Sequence, residues 1–401
     1  MSWFTKNPFK AKVLFGLTLV LFFFILLLLT ELILGYFSYK NKYRSLLNSN
    51  HRFVRLKENP PNLNMQYIMS EDAKKKNNIV NLSEDKFILR TDMDGFVEPS
   101  KIHNNADMNI FFIGGSTTEC RALDEKKRFP YLVGRILEEK TGLKINSFNA
   151  GVSGNHSFHS IDILLNKILP YKPQIVVFKH NSNDILLIPY GSYWNNSSKK
   201  SLITYSNNTG NKKEPDNNLL FPVLGEWAGN AISLFSKTSE LAEDHIPYNY
   251  PKYSEVGGKR IVVNKNEVTT LYRNSLRTFV EICKTWNIEP VFMTQVILNQ
   301  NNIKPMNDIP DVFEFTMPEK PMQDSAILTV LYSYHHVFNG IIREVATEEE
   351  ITLIDLKNLV QADDHRYLYD LYHYNDAGSE LVAQIISKHL LDLTCIKQKR
   401  N

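Results

Sequence analysis

The sequence predicts an α/β domain: five parallel strands covered by helices on both faces, preceded by one membrane-spanning helix. Three observations predict it. From residue 109 onward, short apolar runs alternate with segments of helical period. Those runs are continuously apolar rather than alternating, as strands buried on both faces are. And Val13 to Phe37 is an almost unbroken apolar stretch near the start of the 401-residue chain.

In chain order, residues 1–12 form a short tail carrying Lys6, Lys10 and Lys12. Residues 13–37 follow as a single-pass anchor. At ~1.5 Å per residue the run is long enough for a hydrocarbon core of ~30 Å. A cleaved signal peptide has a shorter apolar region and a small-residue cleavage site, and neither is present. Glu31 lies toward the far end of the run, within reach of the interface, where its cost is small. Lys40, Lys42 and Arg44 balance the lysines before the span, so positive charge does not decide its orientation. Residues 38–85 are polar and irregular, with Asn59-Pro-Pro-Asn62 and Lys74-Lys-Lys76, and read as a juxtamembrane stalk.

The main domain is expected over 86–393. Strands are predicted at Asn109–Ile113, Lys144–Phe148, Gln174–Phe178, Pro290–Thr294 and Ile351–Asp355. Helices are predicted at Pro130–Lys140, Ser157–Leu169, Glu267–Trp286, Ala326–Thr347 and Asp376–Leu391. Strands alternating with helices imply a parallel sheet, and in such sheets sites form at the carboxyl ends of the strands. Two stretches break the alternation, 188–262 and 298–324. Both lie on strand-to-helix connections and are expected as insertions over that face. The first carries Tyr190, Tyr193, Trp194, Tyr205 and Trp227, aromatic faces suited to sugar rings or acyl chains.

Composition excludes some functions. The net charge of +3 gives no argument for nucleic acid. Cys120, Cys283 and Cys395 form no CxxC and no metal spacing, and no metal or other cofactor is expected. His335-His336, in mid-helix, reads as a partly buried pair rather than a ligand set.

The chemistry lies in four short blocks. Asn109-Ile-Phe-Phe-Ile-Gly-Gly-Ser-Thr-Thr-Glu119 is a strand that ends in two glycines and Ser116. A serine hydroxyl is a poor nucleophile until a base takes its proton. A phosphate loop would need Gly-Lys-Ser/Thr or GxGxxG, and neither is present. Asp370-Leu-Tyr-His373 supplies the base: His373 can face the serine while Asp370 holds its other ring nitrogen. Between them come Asn149-Ala-Gly-Val-Ser-Gly-Asn155 and Asn181-Ser-Asn-Asp184. The N–H of Ser116, the N–H of Gly154 and the amide of Asn183 are the candidate donors for a developing oxyanion. His180, Thr294 and Gln295 end neighbouring strands and are candidate pocket residues. Glu119 lies one helical turn past Ser116.

In this order the blocks resemble those of the SGNH/GDSL hydrolases, over roughly residues 86–393. Ser116 matches the first block, Gly154 the second, Asn183 the third, and Asp370 with His373 the Asp-x-x-His of the last. The resemblance implies a flavodoxin-like three-layer sandwich and serine-dependent, metal-free ester or amide chemistry. It also points to a subgroup of membrane-anchored bacterial members bearing Gly-Gly-Ser-Thr-Thr-Glu. Two positions depart from the family pattern. Gly115 stands where Gly-Asp-Ser has its aspartate, and Asn181 stands where Gly-x-Asn-Asp has its glycine. The expected activity is an anchored esterase with an extracytoplasmic catalytic part, acting on O-acyl groups of envelope glycans or lipids. Acyl transfer to a sugar hydroxyl would use the same residues, and a catalytically silent glycan-binding protein is the reading from another class.

Overall fold

A computed structural model describes residues 6–48, 56–77, 79–188, 257–299, 303, 305–306, 308–318, 325–362 and 365–400. These fall into two units, the N-terminal helix and the residues from Leu56 onward. The helix spans Pro8–Asn48. Its stretch Pro8–Tyr36, 29 residues of mean hydropathy 2.9, is long and apolar enough to cross a membrane. Apolar side chains line it on every side, among them Phe15, Leu21, Phe22 and Leu32, all exposed. Thr18 and Thr30 donate to the carbonyls of Leu14 and Leu26 at 2.9 and 2.8 Å, so the helix itself satisfies both hydroxyls.

The second unit is built on a five-stranded parallel sheet. In chain order the strands of this unit are β1 (Asn64–Ile68), β2 (Lys86–Arg90), β3 (Met108–Gly114), β4 (Ile145–Gly151), β5 (Ile175–Lys179), β6 (Arg260–Asn264), β7 (Glu289–Met293), β8 (Val312–Thr316) and β9 (Thr352–Ile354). The central sheet runs β4-β3-β5-β7-β9, with every pair parallel. This is the flavodoxin-like order, in which the winding reverses beside the first strand and leaves a crevice at the carboxyl ends.

Alternate residues of one strand enter different cores. Phe111 and Ile113 of β3 join Phe148, Val176, Phe178 and Phe292 on one face, beneath helices Ser157–Ile163, Lys265–Thr285 and Ser325–Glu348. Ile110 and Phe112 join Ile175, Val177, Val291 and Met293 on the other, beneath Phe129–Thr141 and Asp376–Leu391. Phe111 and Phe148 stack across neighbouring strands with centroids 4.3 Å apart. Each such aromatic contributes about 1.5–3 kcal/mol by leaving water. A cleft of about 380 Å³ lined by Gln174, Lys284, Glu289 and Glu350 lies at the amino end of the strands, away from Ser116.

The five predicted strands and their helices are all present, with ends shifted by no more than three residues, the helix from Ser157 apart. The helix from Ser157 stays regular only to Ile163. It widens to a π-helical turn over Leu164–Ile168 and tightens over Leu169–Tyr171, where Pro170 stops it. Of the His335-His336 pair, only His335 is buried; His336 is exposed.

Three expectations need correction. Residues 38–85 are not an irregular stalk. The N-terminal helix continues to Asn48, and from Leu56 the chain belongs to the second unit. There β1 pairs antiparallel with β2, with Met65, Tyr67 and Met69 turned inward at a period of two. The two insertions are likewise not simply loops. Their described ends hold β6 and β8, which pair antiparallel. Ile261 and Val263 point into the core, and Phe313 and Phe315 pack against it. Residues 189–256 of the first insertion, with all five of its aromatic candidates, lie outside the described residues.

Candidate active site

The register of the sheet assembles the site. Gly114 of β3 stands opposite Gly151 of β4 on one side and Lys179 of β5 on the other. The turns after these three adjacent strands carry Ser116, Gly154 and Asn183. Ser116 opens a four-residue helix, Ser116–Glu119, and Asn183 lies in another, Ser182–Ile185.

His373 reaches this point from the far end of the sequence. Its Nε2 is 2.8 Å from Ser116 Oγ. Its Nδ1 is 2.7 Å from Asp370 Oδ2 and 3.0 Å from Oδ1. Asp370 Oδ1 also accepts from the backbone N–H groups of Tyr372 and His373 at 2.9 and 2.8 Å. Burial pushes the Asp370 carboxyl upward. The adjacent imidazole and these donors outweigh it and hold the group below the usual carboxylate range. Tyr369 stacks on the His373 ring at 5.4 Å, and its N–H donates to the His373 carbonyl. The loop is fixed at its base by Asn375, which caps the last long helix and donates to the carbonyls of His365 and Arg366.

On the opposite side of Ser116, Asn183 Nδ2 donates to the carbonyl of Asn155 at 2.7 Å. That bond uses one amide hydrogen and fixes the direction of the other. Gly154 has φ +71°, the left-handed region that suits glycine. The paired glycines before Ser116 have a different role from the tight turn their sequence implies. Neither has a positive φ. They permit close approach: a Cβ on Gly115 would lie 2.3 Å from Asn183 Nδ2 and 3.2 Å from the Asn155 carbonyl. An aspartate at 115 would therefore collide with the third block, a physical reason for the departure from Gly-Asp-Ser. The other departure also has a reason. Asn181 donates to the His335 carbonyl at 3.0 Å and to Asn339 Oδ1 at 2.9 Å, tethering the third block to helix Ser325–Glu348.

The three candidate pocket residues are buried and hydrogen-bonded. His180 Nε2 lies 2.6 Å from Ser160 Oγ, and burial pushes its pKa down to about 3. Thr294 donates to Asp355 Oδ1 at 2.8 Å and accepts from the Lys357 N–H. Gln295 Oε1 accepts from the Ser182 N–H at 2.9 Å, at the start of the turn that carries Asn183. Asp184 caps the helix from Ser157 by accepting from its N–H and hydroxyl. Burial pushes the Asp184 carboxyl up to about 7.

Glu119, already marked by its place after Ser116, and two lysines that sequence reasoning did not single out surround these blocks. Glu119 is fully buried and accepts from Ser153 Oγ, Ser153 N and Asn59 Nδ2, with Arg121 Nε at 3.3 Å. Lys57 Nζ donates to the Gly154 carbonyl at 2.6 Å. Lys179 is buried beneath the serine turn, its Nζ 3.3 Å from the Thr117 carbonyl and 4.4 Å from the Tyr374 ring centroid. Burial pushes its pKa down to about 7. The glycine-rich pattern marks Glu119 as a neighbour of Ser116. Nothing local marks Lys57, which is far from every block in the sequence.

A hydroxyl, an imidazole and a carboxylate in this line can move a proton away from the hydroxyl as it attacks an electrophile. No protein-family model matches the chain, and a search of curated proteins finds no match. Among solved structures, it resembles an acetyl-xylooligosaccharide esterase of Geobacillus stearothermophilus at 14% identity, over 71% of this chain and 95% of that one, with a TM-score of 0.40. It resembles a lipase/acylhydrolase of Enterococcus faecalis at 14% identity, over 71% and 95%, with a TM-score of 0.38. A GDSL-like lipase of Parabacteroides merdae matches at 15%, over 72% and 97%, with a TM-score of 0.39. Likenesses this low do not bear on the reaction.

Proposed function

We propose that the chain is a membrane-anchored serine esterase of the SGNH/GDSL type. The observation that carries this reading is the line from Asp370 through His373 to Ser116 Oγ, each link within 3.0 Å. In the cycle, His373 Nε2 takes the Ser116 proton as Oγ bonds to the ester carbonyl carbon. The N–H groups of Ser116 and Gly154 and the free hydrogen of the Asn183 amide stabilise the oxyanion. The intermediate collapses, the C–O bond to the alcohol breaks, and His373 returns the proton to the leaving oxygen. Water then attacks the acyl-enzyme with His373 again as base, releasing the acid and restoring Ser116. The candidate substrates are O-acyl groups of envelope glycans or lipids. A sugar hydroxyl in place of water would make the same cycle an acyl transfer.

The apolar helix supports anchoring; that the residues from Leu56 onward lie outside the cytoplasm is part of the same proposal, which the charges flanking the helix do not decide. A fluorophosphonate probe tests the chemistry directly, because labelling requires an activated serine. Full-length protein in detergent should be labelled and should hydrolyse a short-chain aryl ester, and Ser116→Ala should do neither. An unlabelled, inactive wild type refutes the reading. Protease added to intact spheroplasts tests the orientation: digestion of the domain is expected, and protection until the membrane is opened would reverse it.

A further inference from the structure

The oxyanion loop is held from one side by a segment that belongs to none of the four blocks. Lys57 makes two contacts with it. Its Nζ donates to the Gly154 carbonyl at 2.6 Å, and its own carbonyl accepts from Asn155 Nδ2 at 3.0 Å. Asn59, two residues on and fully buried, donates to Glu119 Oε1 and to the Gly151 carbonyl, each at 3.2 Å. Glu119 in turn holds Ser153 by both its N–H and its hydroxyl. Gly154 thus sits between Ser153, held by Glu119, and Asn155, held by Lys57. The Asn155 carbonyl is also the acceptor that orients Asn183.

Resting on the esterase reading, we propose that Lys57 is a positioning residue for the oxyanion hole. Its ammonium, balanced by the Glu119 carboxylate, fixes the Gly154 carbonyl and with it the loop that presents the Gly154 N–H, while its backbone carbonyl holds Asn155, whose own carbonyl orients the Asn183 amide. Preorganised donors act only if their aim is right before charge develops. A displacement on the order of 1 Å can cost about 10²-fold in rate. The network makes the aim depend on charge. Burial pushes Lys57 down to about 7, with Glu119 opposing. The charged and titratable groups around Lys57 are Glu119 with its partner Arg121, and the buried imidazoles of His156 and His180. Both imidazoles are held neutral by burial, so Glu119 is the charge that favours the protonated form of Lys57 against burial.

The test uses the full-length protein in detergent micelles with p-nitrophenyl acetate, over a range of pH. Lys57→Met should lower kcat about 10- to 100-fold and leave KM within about twofold, as expected for an interaction made only in the transition state. The wild type should lose kcat as pH rises through the Lys57 titration, and Lys57→Met should lack that alkaline limb. Glu119→Gln keeps the shape and an acceptor oxygen but removes the charge that favours the ammonium. It should move the limb to lower pH, and it serves as the second variant if Lys57→Met folds poorly. The backbone amide resonances of Gly154 and Asn155 give a readout independent of turnover: both should shift in Lys57→Met, which removes the donor to the peptide group between them. Unchanged resonances overturn the positioning role even if the wild type proves inactive on esters, an inactivity that would refute only the esterase reading. An unchanged kcat, or an alkaline limb that persists in Lys57→Met, also overturns it.

Discussion

His373 Nε2 lies 2.8 Å from Ser116 Oγ, although 257 positions separate the two residues in the chain. The sheet order brings them together: β3 is flanked by β4 and β5, and the last loop returns over its carboxyl end. A pair that acts as a unit fails as a unit. Ser116→Ala and His373→Ala should each reduce hydrolysis of a short-chain aryl ester by about 10⁴-fold or more, and the double variant should be little worse than either single one. Initial rates on the three purified, folded variants check this. Multiplicative losses would mean that the two side chains act separately.

The Gly115 contact gives a sharper geometric prediction. Since a Cβ there would meet Asn183 Nδ2 at 2.3 Å, Gly115→Ala should displace the amide and lower kcat by about 10²-fold. Overpacking should also cost about 1–3 kcal/mol of stability. Gly115→Asp, which restores the residue of the resembled family, should be worse still. Asn183→Ala should remove about 10²–10³ in kcat and cost only the stability of its hydrogen bond to the Asn155 carbonyl. Matched kinetics and urea unfolding on the three variants distinguish crowding from loss of a donor.

Asp370 ties activity to acid stability. Burial raises its pKa, but the His373 imidazole and the backbone donors outweigh burial, and the net shift is downward. A carboxylate with its folded pKa below the unfolded value stabilises the fold above that unfolded value, ~3.9. The contribution is lost as pH falls through the depressed folded value. The stability difference between wild type and Asp370→Asn should therefore be constant above about pH 5 and should narrow as pH falls below about 4. Denaturant unfolding at several pH values measures it. At neutral pH the same variant should lose about 10⁴ in kcat, because an amide no longer selects the tautomer that faces Ser116.

Much of this site was legible because its chemistry sits in short contiguous blocks. Gly-Gly-Ser, Ser-Gly-Asn, Asn-Ser-Asn-Asp and Asp-x-x-His each follow an apolar strand, and strand periodicity placed them on one edge. Lys57 and Asn59 were not legible, since their partners Gly154 and Glu119 are distant in sequence and no local period marks the contact. β1, β6 and β8 were missed for a different reason. Each is five residues long and alternates inward with outward positions, and each lies in a polar stretch that reads as loop. Thr294 and Gln295 were placed correctly at the end of a strand, but sequence could not tell a pocket wall from a buried bracket.

Gln295 separates those two roles. Its Oε1 receives the Ser182 N–H at 2.9 Å, so Gln295→Ala leaves a buried donor unpaired, at a cost of about 1–3 kcal/mol. As a bracket for the Asn183 turn it should lower kcat similarly for acetyl, butyryl and octanoyl esters. As a pocket wall it would change KM unequally across that series. Parallel loss of kcat with flat KM ratios is the expected result.

The boundary between the two units predicts where the chain can be cut. The second unit begins at Val54, well before residue 86, where the main domain is expected to start. A truncation beginning at Val54 keeps Lys57, Asn59 and β1. It removes the apolar stretch Pro8–Tyr36, which is long enough to span a membrane. It should be soluble without detergent and should retain full turnover on a small aryl ester. A truncation beginning at Lys86 removes the partner of β2, the donor to Gly154 and one donor to Glu119. It exposes the inward faces of Phe87 and Leu89, both buried in the intact chain. It should aggregate, or fold with a disordered oxyanion loop and lose at least about 10-fold in kcat. Alkaline carbonate extraction of cells completes the comparison: full-length protein should stay with the membrane and the Val54 truncation should not. If the two truncations match in solubility and turnover, residues 56–85 are a dispensable wrap. If the full-length chain is released by carbonate, the N-terminal helix is not an anchor.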